Sequence, residues 1–147
     1  MKTLSRLTVL LFSVLLLAGC GDSGKDTPTP DAATFRVDIA QSGDYEKFGR
    51  IISIKGGEFY RTGTQEQMPV VLFEEHLTEE TYSYEAEGVR ELNIQTTYGF
   101  SSVETPPAAM ELKITVYKNG KQIDHRTYGY TEEDSEVNEF LTYKANQ

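Results

Sequence analysis

The Asn119-Gly120 dipeptide constrains the fold of this chain more than any other feature, because it lies between two runs that alternate apolar and polar residues. A two-residue hairpin turn of type I′ requires positive φ at both central positions, and Asn-Gly is a pair that adopts it readily. Closing this turn pairs Lys118 with Lys121. The sequence therefore predicts an antiparallel β-hairpin over residues 111–130.

The predicted register sorts the residues of this hairpin by polarity. One face carries three directly opposed pairs: Val116 with Ile123, Ile114 with His125, and Leu112 with Thr127. The other face is polar and includes Tyr117 and Tyr128. A sheet with one buried face requires this separation. We therefore expect His125 to be a structural residue beside the core, and Asp124 to point to the opposite face, so that the two form no catalytic dyad.

Further runs of period two follow one another from residue 34 onward and are separated by turn residues. Besides the hairpin, these runs cover residues 35–39, 48–55, 68–73, 81–87, 92–98 and 137–144. Seven or eight short strands in one all-β domain over residues 34–147 are typical of an antiparallel two-sheet sandwich of immunoglobulin-like type. A small eight-stranded β-barrel is the alternative.

The N-terminus has the pattern of an export signal. Lys2 and Arg6 precede an apolar run over residues 7–17, which is too short to span a bilayer but has the length of a signal-peptide core. The run ends in Leu17-Ala18-Gly19-Cys20, which resembles the lipobox of bacterial lipoproteins. This resemblance implies a signal peptide over residues 1–19, lipid transfer to the Cys20 thiol, and acylation of the new N-terminus. Two or more acyl chains give a stable membrane anchor.

Residues 20–33 separate the predicted anchor from the first strand. They combine Gly, Ser, Thr, Pro and Asp without apolar periodicity, as flexible linkers do. The order of lipobox, short polar linker and single β-domain is similar to that of small Bacteroidota envelope lipoproteins with an immunoglobulin-like domain. The resemblance implies a place in the bacterial cell envelope, with the outer membrane favoured. It leaves open whether the domain faces the periplasm or the medium.

The charge of the chain excludes two kinds of partner. All 23 acidic residues lie after residue 19, whereas two of the 14 basic residues lie before it. The remaining chain has 12 basic and 23 acidic residues, a net charge of −11. A general nucleic-acid binder needs basic surface to displace counterions from phosphates, and anionic lipid attracts basic segments. We therefore expect no nucleic-acid partner, and contact with the membrane through the lipid anchor rather than through charge.

Motifs that carry catalysis are missing from the sequence. His76 and His125 are its two imidazoles, and no Ser or Cys stands in a G-x-S-x-G setting. The sequence also has no P-loop, no G-x-G-x-x-G turn and no H-E-x-x-H pair. The single cysteine, Cys20, excludes an intramolecular disulfide and a thiolate metal cluster. We predict a protein that is not an enzyme and has no cofactor.

Two acidic segments are the candidates for a metal site. They contribute the following carboxylates: Glu74, Glu75, Glu79, Glu80, Glu132, Glu133 and Asp134. Calcium favours six to eight oxygen ligands, and loop carboxylates commonly supply them. Neither segment has the D-x-[DN]-x-[DN]-G spacing of an EF-hand. The first expectation is therefore solubilising charge, and calcium binding is the alternative.

Tyrosine is the other excess, with nine residues and no Trp. Tyr117, Tyr128 and Tyr130 are the candidates for a ligand or partner face, because tyrosines on a strand stack on sugars and anchor interfaces. Tyrosine also fits the half-buried surface of a sheet without any binding role. Two functions stay open: a lipid-anchored module that binds another envelope protein as an accessory subunit, or a glycan- or calcium-dependent ligand-binding lipoprotein.

Overall fold

The computed structural model describes residues 31–147. The predicted signal peptide, Cys20 and most of the linker lie outside the described residues. Nine strands occur in the described part: β1 (Ala33–Gly43), β2 (Phe48–Lys55), β3 (Tyr60–Arg61), β4 (Val71–Leu72), β5 (Thr81–Val89), β6 (Glu91–Phe100), β7 (Ala109–Lys118), β8 (Lys121–Thr131) and β9 (Val137–Lys144). A short 3-10 helix over Tyr45–Lys47 precedes β2, and another over Glu74–His76 follows β4.

The strands form two antiparallel sheets. One sheet has five strands in the order β3-β5-β1-β7-β8, and the other has four in the order β4-β2-β6-β9. The predicted two-sheet sandwich is confirmed. The barrel alternative is wrong, because the described strands leave both sheets open. Two of the nine strands, β3 and β4, are only two residues long, so the count of substantial strands is seven.

The core lies between the two sheets and follows the alternation of the sequence. In β1 every second residue is buried, and Phe35, Val37 and Ile39 are at most 2% exposed. Leu112 and Ile114 of β7 are buried to the same degree. Because side chains alternate across a pleated strand, the intervening polar residues face outward. Among the described residues, no helix is long and apolar enough to cross a membrane.

The hairpin forms around Asn119-Gly120, with φ of 50° and 78° at these residues. Lys118 pairs with Lys121 and Tyr117 with Gln122, as predicted. The next pair is Val116 with Asp124, so Ile123 is an extra residue in β8. A β-bulge of this kind leaves one residue unpaired and shifts the register beyond it by one. The predicted pairing is therefore wrong from the bulge onward.

This shift moves the side chains of β8 to the opposite faces. His125 pairs with Thr115 and is exposed on the outer face, so its predicted place beside the core is wrong. Tyr128 and Tyr130 now lie on the inner side, opposite buried residues of β7. Asp124 also turns inward, where its Oδ2 accepts a hydrogen bond of 2.8 Å from the Tyr143 hydroxyl of β9. Asp124 and His125 still point to opposite faces.

Four connections meet at one end of the sandwich, which we call the acidic end. They comprise residues 44–47, 73–80, 101–108 and 132–136. The antiparallel register places them together, since the end of β1 pairs with the start of β7 and the end of β6 pairs with the start of β9. The opposite end holds the start of β1 and the Asn119-Gly120 turn. The acidic end is therefore remote from the point where the linker enters the domain.

Candidate functional site

The acidic end gathers both acidic segments of the sequence. Its four connections contain 11 Asp and Glu residues but only one Lys, Lys47. Segments 74–80 and 132–136 are far apart in the chain, yet the order of the strands brings them to the same end of the sandwich. The result is a strongly negative surface made of loops, which is the kind of surface that attracts cations.

Two glycines open a notch at this end of the four-stranded sheet. Gly49 of β2 and Gly99 of β6 are directly opposed cross-strand partners. A Cβ on Gly99 would lie 2.1 Å from the Ser135 carbonyl oxygen, so the β8–β9 loop approaches the strand closely only because residue 99 lacks a side chain. A Cβ on Gly49 would lie 3.4 Å from Glu74 Oε1 and 3.7 Å from the Gly99 carbonyl oxygen. We call this feature the glycine notch.

Oxygen atoms from three connections border the glycine notch. A groove of about 380 Å³ runs over it and is also lined by Glu136, Ser101, Ser102 and Ser135. The donor set thus combines two carboxylates, from Glu74 and Glu136, with hydroxyl and carbonyl oxygens. Calcium prefers all-oxygen sites of this composition and tolerates irregular geometry. The chemistry of the residues fits a calcium ion.

The notch does not hold a complete set of carboxylates. Among residues 31–147, no three His, Cys, Asp or Glu side chains converge closely enough to hold a metal ion. An ion at the notch would therefore have at most two carboxylates, from Glu74 and Glu136, and would need carbonyl, hydroxyl and water oxygens to complete its coordination. Sites with so few carboxylates belong to the weak range of calcium affinities.

The remaining predicted carboxylates have other surroundings. Glu79 forms an ion pair of 2.7 Å with Arg61. Asp134 Oδ2 accepts the Thr131 amide at 2.7 Å and so closes its own turn. Glu132 Oε2 accepts the Ala108 amide at 3.2 Å. The other three, which are Glu75, Glu80 and Glu133, are exposed at the acidic end.

Lys47 is held away from the glycine notch. Its Nζ donates hydrogen bonds to the carbonyl oxygens of Thr105 and Pro107, at 3.2 and 3.1 Å. The single basic residue in the four connections of the acidic end is therefore hydrogen-bonded to the β6–β7 connection. The groove over the notch is also lined by Arg50, whose guanidinium is hydrogen-bonded to the Leu77 carbonyl oxygen and to Gln41.

A buried guanidinium fixes the 73–80 connection to the sheets. Arg50 is 5% exposed, and its Nη1 donates to the Leu77 carbonyl oxygen at 2.6 Å and to Gln41 Oε1 at 3.1 Å. Gln41 in turn donates from Nε2 to the carbonyl oxygens of Leu77 and Glu79, at 2.8 and 2.7 Å. Sequence reasoning missed both residues, because a polar residue in an alternating strand is normally assigned to the solvent face.

The three candidate tyrosines, Tyr117, Tyr128 and Tyr130, do not share one face of the sheet. Tyr117 lies on the outer face of the five-stranded sheet, where the Arg36 guanidinium sits 3.8 Å from its ring centre. Tyr130 is 3% exposed and stacks on Tyr98 in the core, with ring centres 5.1 Å apart. Burial raises the pKa of Tyr130 to about 12. The bulge at Ile123 is the reason, since it turns Tyr128 and Tyr130 away from the face that carries Tyr117.

Comparisons with known proteins agree with this architecture. Residues 1–144 match the family model described as PLAT/LH2 and C2-like Ca²⁺-binding lipoprotein. The calcium-bound form of a protein from Parabacteroides distasonis, solved by NMR, is 24% identical and has a TM-score of 0.64, covering 82% of this chain and 99% of that chain. A domain of unknown function from Bacteroides vulgatus is 14% identical, with a TM-score of 0.62 and coverage of 78% and 95%.

A DUF4425 family protein from Bacteroides ovatus is also 14% identical, with a TM-score of 0.61 and coverage of 79% and 98%. At these identities the three structures are evidence for the fold alone. The comparison with curated proteins gives no match.

Proposed function

Because the chain belongs to the PLAT/LH2 and C2-like Ca²⁺-binding lipoprotein family, we propose that it is a lipid-anchored, non-enzymatic module of the cell envelope that binds calcium at the glycine notch. The observation that carries the proposal is that Glu74 Oε1 and the Gly99 carbonyl oxygen lie beside Gly49, at 3.4 and 3.7 Å from the position of a Cβ there, and that Glu136 lines the same groove. The lipobox-like run that ends in Cys20 supports lipid anchoring, and the net charge of −11 after residue 19 argues against a nucleic-acid partner.

The topology supports an arrangement in which the calcium site points away from the membrane. The linker enters at the start of β1, and the notch lies at the other end of the sandwich. The 11 residues of β1 span about 36 Å at the usual rise of an extended strand. A calcium ion at the acidic end is thus held above the lipid surface, where solvent and a protein partner reach it.

Calcium also has an electrostatic role at this end. Eleven carboxylates on four neighbouring connections repel one another, and Lys47 offsets only one of them. A divalent ion between the 73–80 and 132–136 connections lowers that repulsion and ties the two loops together. We expect a dissociation constant of roughly 10⁻⁴ to 10⁻³ M, as in extracellular calcium modules with few charged ligands.

The test is calcium titration of the full-length lipoprotein in detergent by isothermal titration calorimetry. Changing Glu74→Gln together with Glu136→Gln removes both carboxylate ligands, so we expect calcium affinity to fall at least about tenfold. The matched control, Glu87→Gln with Glu91→Gln, lies at the opposite end and leaves affinity unchanged. Equal affinities in the two double variants would place the ion elsewhere.

A glycine substitution tests the notch itself. Gly49→Ala adds a Cβ whose nearest contacts, at 3.4 and 3.7 Å, are ordinary van der Waals distances. The fold therefore tolerates the change, while the added methyl occupies the space beside Glu74 Oε1. We expect weaker calcium binding at unchanged thermal stability in EDTA. Unchanged calcium binding would show that the notch is not part of the site.

A further inference from the structure

A row of hydrogen-bonding side chains crosses the outer face of the five-stranded sheet. We call it the transverse row, and it has one member beside each strand in turn: Thr62, Ser83, Asp38, Thr115 and His125. The register creates it, because Asp38 pairs with Ser83 on one side and with Thr115 on the other, and Thr115 pairs with His125. Thr62 follows β3, and its amide donates to the Ser83 carbonyl oxygen at 2.9 Å.

The members of the transverse row hold one another in place. Ser83 Oγ donates to Asp38 Oδ1 at 2.6 Å, and the Thr62 and Ser83 hydroxyls lie 2.8 Å apart. Thr115 Oγ1 and His125 Nδ1 are also 2.8 Å apart. Because four of the five members lie on long strands, their positions are set by the sheet. A site on rigid strands loses little conformational entropy when it binds a ligand.

The transverse row lines a groove of about 500 Å³, which lies within the usual size range of small-molecule sites. The Arg61–Glu79 ion pair borders it on the β3 side, and Lys113 borders it on β7. Ala40 on the central strand has a small side chain and leaves the middle of the groove open. This groove is separate from the glycine notch, which lies on the other sheet.

Charge and length together define the ligand. The charged groups of the groove are paired: Asp38 with Arg36, Glu79 with Arg61, and Lys113 with Glu111, at 3.1, 2.7 and 2.6 Å. The groove therefore has no net charge that would select an ionic ligand. The row crosses five strands, so it spans about 19 Å at the normal inter-strand spacing. A single amino acid is too short to use it, and an apolar ligand would displace water from its polar groups without replacing those hydrogen bonds. Ligand hydroxyl groups suit this mixture, because they can donate to the remaining lone pairs of Asp38 and accept from the remaining N–H groups of Lys113.

We propose that the transverse row binds a short neutral oligosaccharide laid across the strands. A chain of sugar units presents hydroxyls along its length, and each strand meets them with one hydroxyl, carboxylate or imidazole. This activity is additional to calcium binding, and nothing in the row uses a residue of the glycine notch. The two proposals can therefore succeed or fail independently.

The experiment titrates full-length lipoprotein, in a detergent without a sugar headgroup, with neutral tetrasaccharides. The panel contains α- and β-linked hexoses and N-acetylhexosamines, and calorimetry and NMR report binding. Asp38→Asn keeps the shape of the central side chain but removes its charge, and Thr115→Val replaces a hydroxyl with a methyl. The matched control is Thr142→Val, which removes a hydroxyl from the outer face of the opposite sheet.

We expect at least one tetrasaccharide to bind, and each row variant to weaken that binding about tenfold or more, as the loss of a hydrogen bond to a charged or well-ordered group does. Binding by the Thr142→Val control stays within about twofold of the unaltered chain, and it persists in EDTA. Absence of binding across the panel at millimolar sugar overturns the proposal. Binding that both row variants retain also overturns the proposal. Binding that disappears in EDTA overturns it as well, because the sugar would then depend on the calcium site.

Discussion

Gly99→Ala is the substitution whose cost follows most directly from the structure. The new Cβ would lie 2.1 Å from the carbonyl oxygen of Ser135 and 2.8 Å from its carbon, far inside the 3.0 Å below which real Cβ contacts essentially never occur. The obstacle is backbone, so no side-chain rotation relieves it. The 132–136 connection must move outward by about 1 Å. That movement breaks the hydrogen bond of 2.7 Å from the Phe100 amide to the Asp134 carbonyl oxygen.

The magnitude combines three effects. Overpacking costs about 1–3 kcal/mol, and the lost backbone hydrogen bond costs about 0.5–1.5 kcal/mol. Ala also lowers the conformational entropy of the unfolded chain, which stabilises the folded state by about 0.4–1 kcal/mol. We therefore expect the free energy of unfolding to fall by about 2–3 kcal/mol. For a domain of this size, Tm falls by about 8–12 °C.

The assay is thermal and urea unfolding in EDTA, which separates this effect from calcium binding. Gly129→Ala is the matched control, since a Cβ at that position in β8 meets nothing within 4 Å. The control should be neutral or slightly stabilising, because Ala suits a strand better than Gly. A Gly99→Ala variant that melts within about 1 °C of the unaltered protein would refute the close approach of the loop to the strand.

Three further predictions concern other parts of the chain. Arg50→Met leaves the Leu77 carbonyl oxygen and Gln41 without their buried donor, so we expect urea unfolding to show a loss of about 2 kcal/mol, whereas Arg90→Met at an exposed position changes little. Partial burial raises the pKa of Asp124, but hydrogen bonds from Tyr143, Arg126 and the His125 amide outweigh burial, so the pKa lies below its usual value. The lowered pKa stabilises the folded state above the unfolded pKa of about 3.9, and this contribution is lost as the pH falls through the folded pKa. Tyr143→Phe should raise the pKa of Asp124 in a carbon-detected NMR titration, and an unchanged value would contradict the hydrogen bond. Cys20→Ala should move the protein from the membrane fraction to the soluble fraction, and continued membrane residence would overturn lipid anchoring at that residue.

The sheets were predictable because alternation and the Asn-Gly turn are local signals. Phe35, Val37 and Ile39 alternate with polar residues in the sequence and are buried in the core as expected. Strand β3 was not predicted, and the predicted strand over residues 68–73 forms only the two-residue β4, since the pairing of both depends on contacts with distant strands. Arg50 and Gln41 were missed for a related reason, because their burial depends on a loop that folds over them.

The acidic segments were recognised from composition, but their common location depends on topology. Nothing in segments 74–80 and 132–136 indicates that they share an end of the sandwich. That information lies in the strand order, which pairs β2 with β6 and β6 with β9. The glycine notch is even less visible, because Gly49 and Gly99 become partners only when the sheet forms. A search for carboxylate spacing alone therefore finds the charges and misses the notch.

The bulge at Ile123 shows how one residue decides the chemistry of two surfaces. Without it, the register of the Asn-Gly turn would point His125 inward and keep Tyr128 beside Tyr117 on the outer face. With it, His125 completes the transverse row, and Tyr130 enters the core to stack on Tyr98. Since both registers are compatible with the Asn-Gly turn, side-chain packing determines which register forms. Burying the ring of Tyr130 removes more apolar surface from water than burying an imidazole, and this favours the bulged pairing.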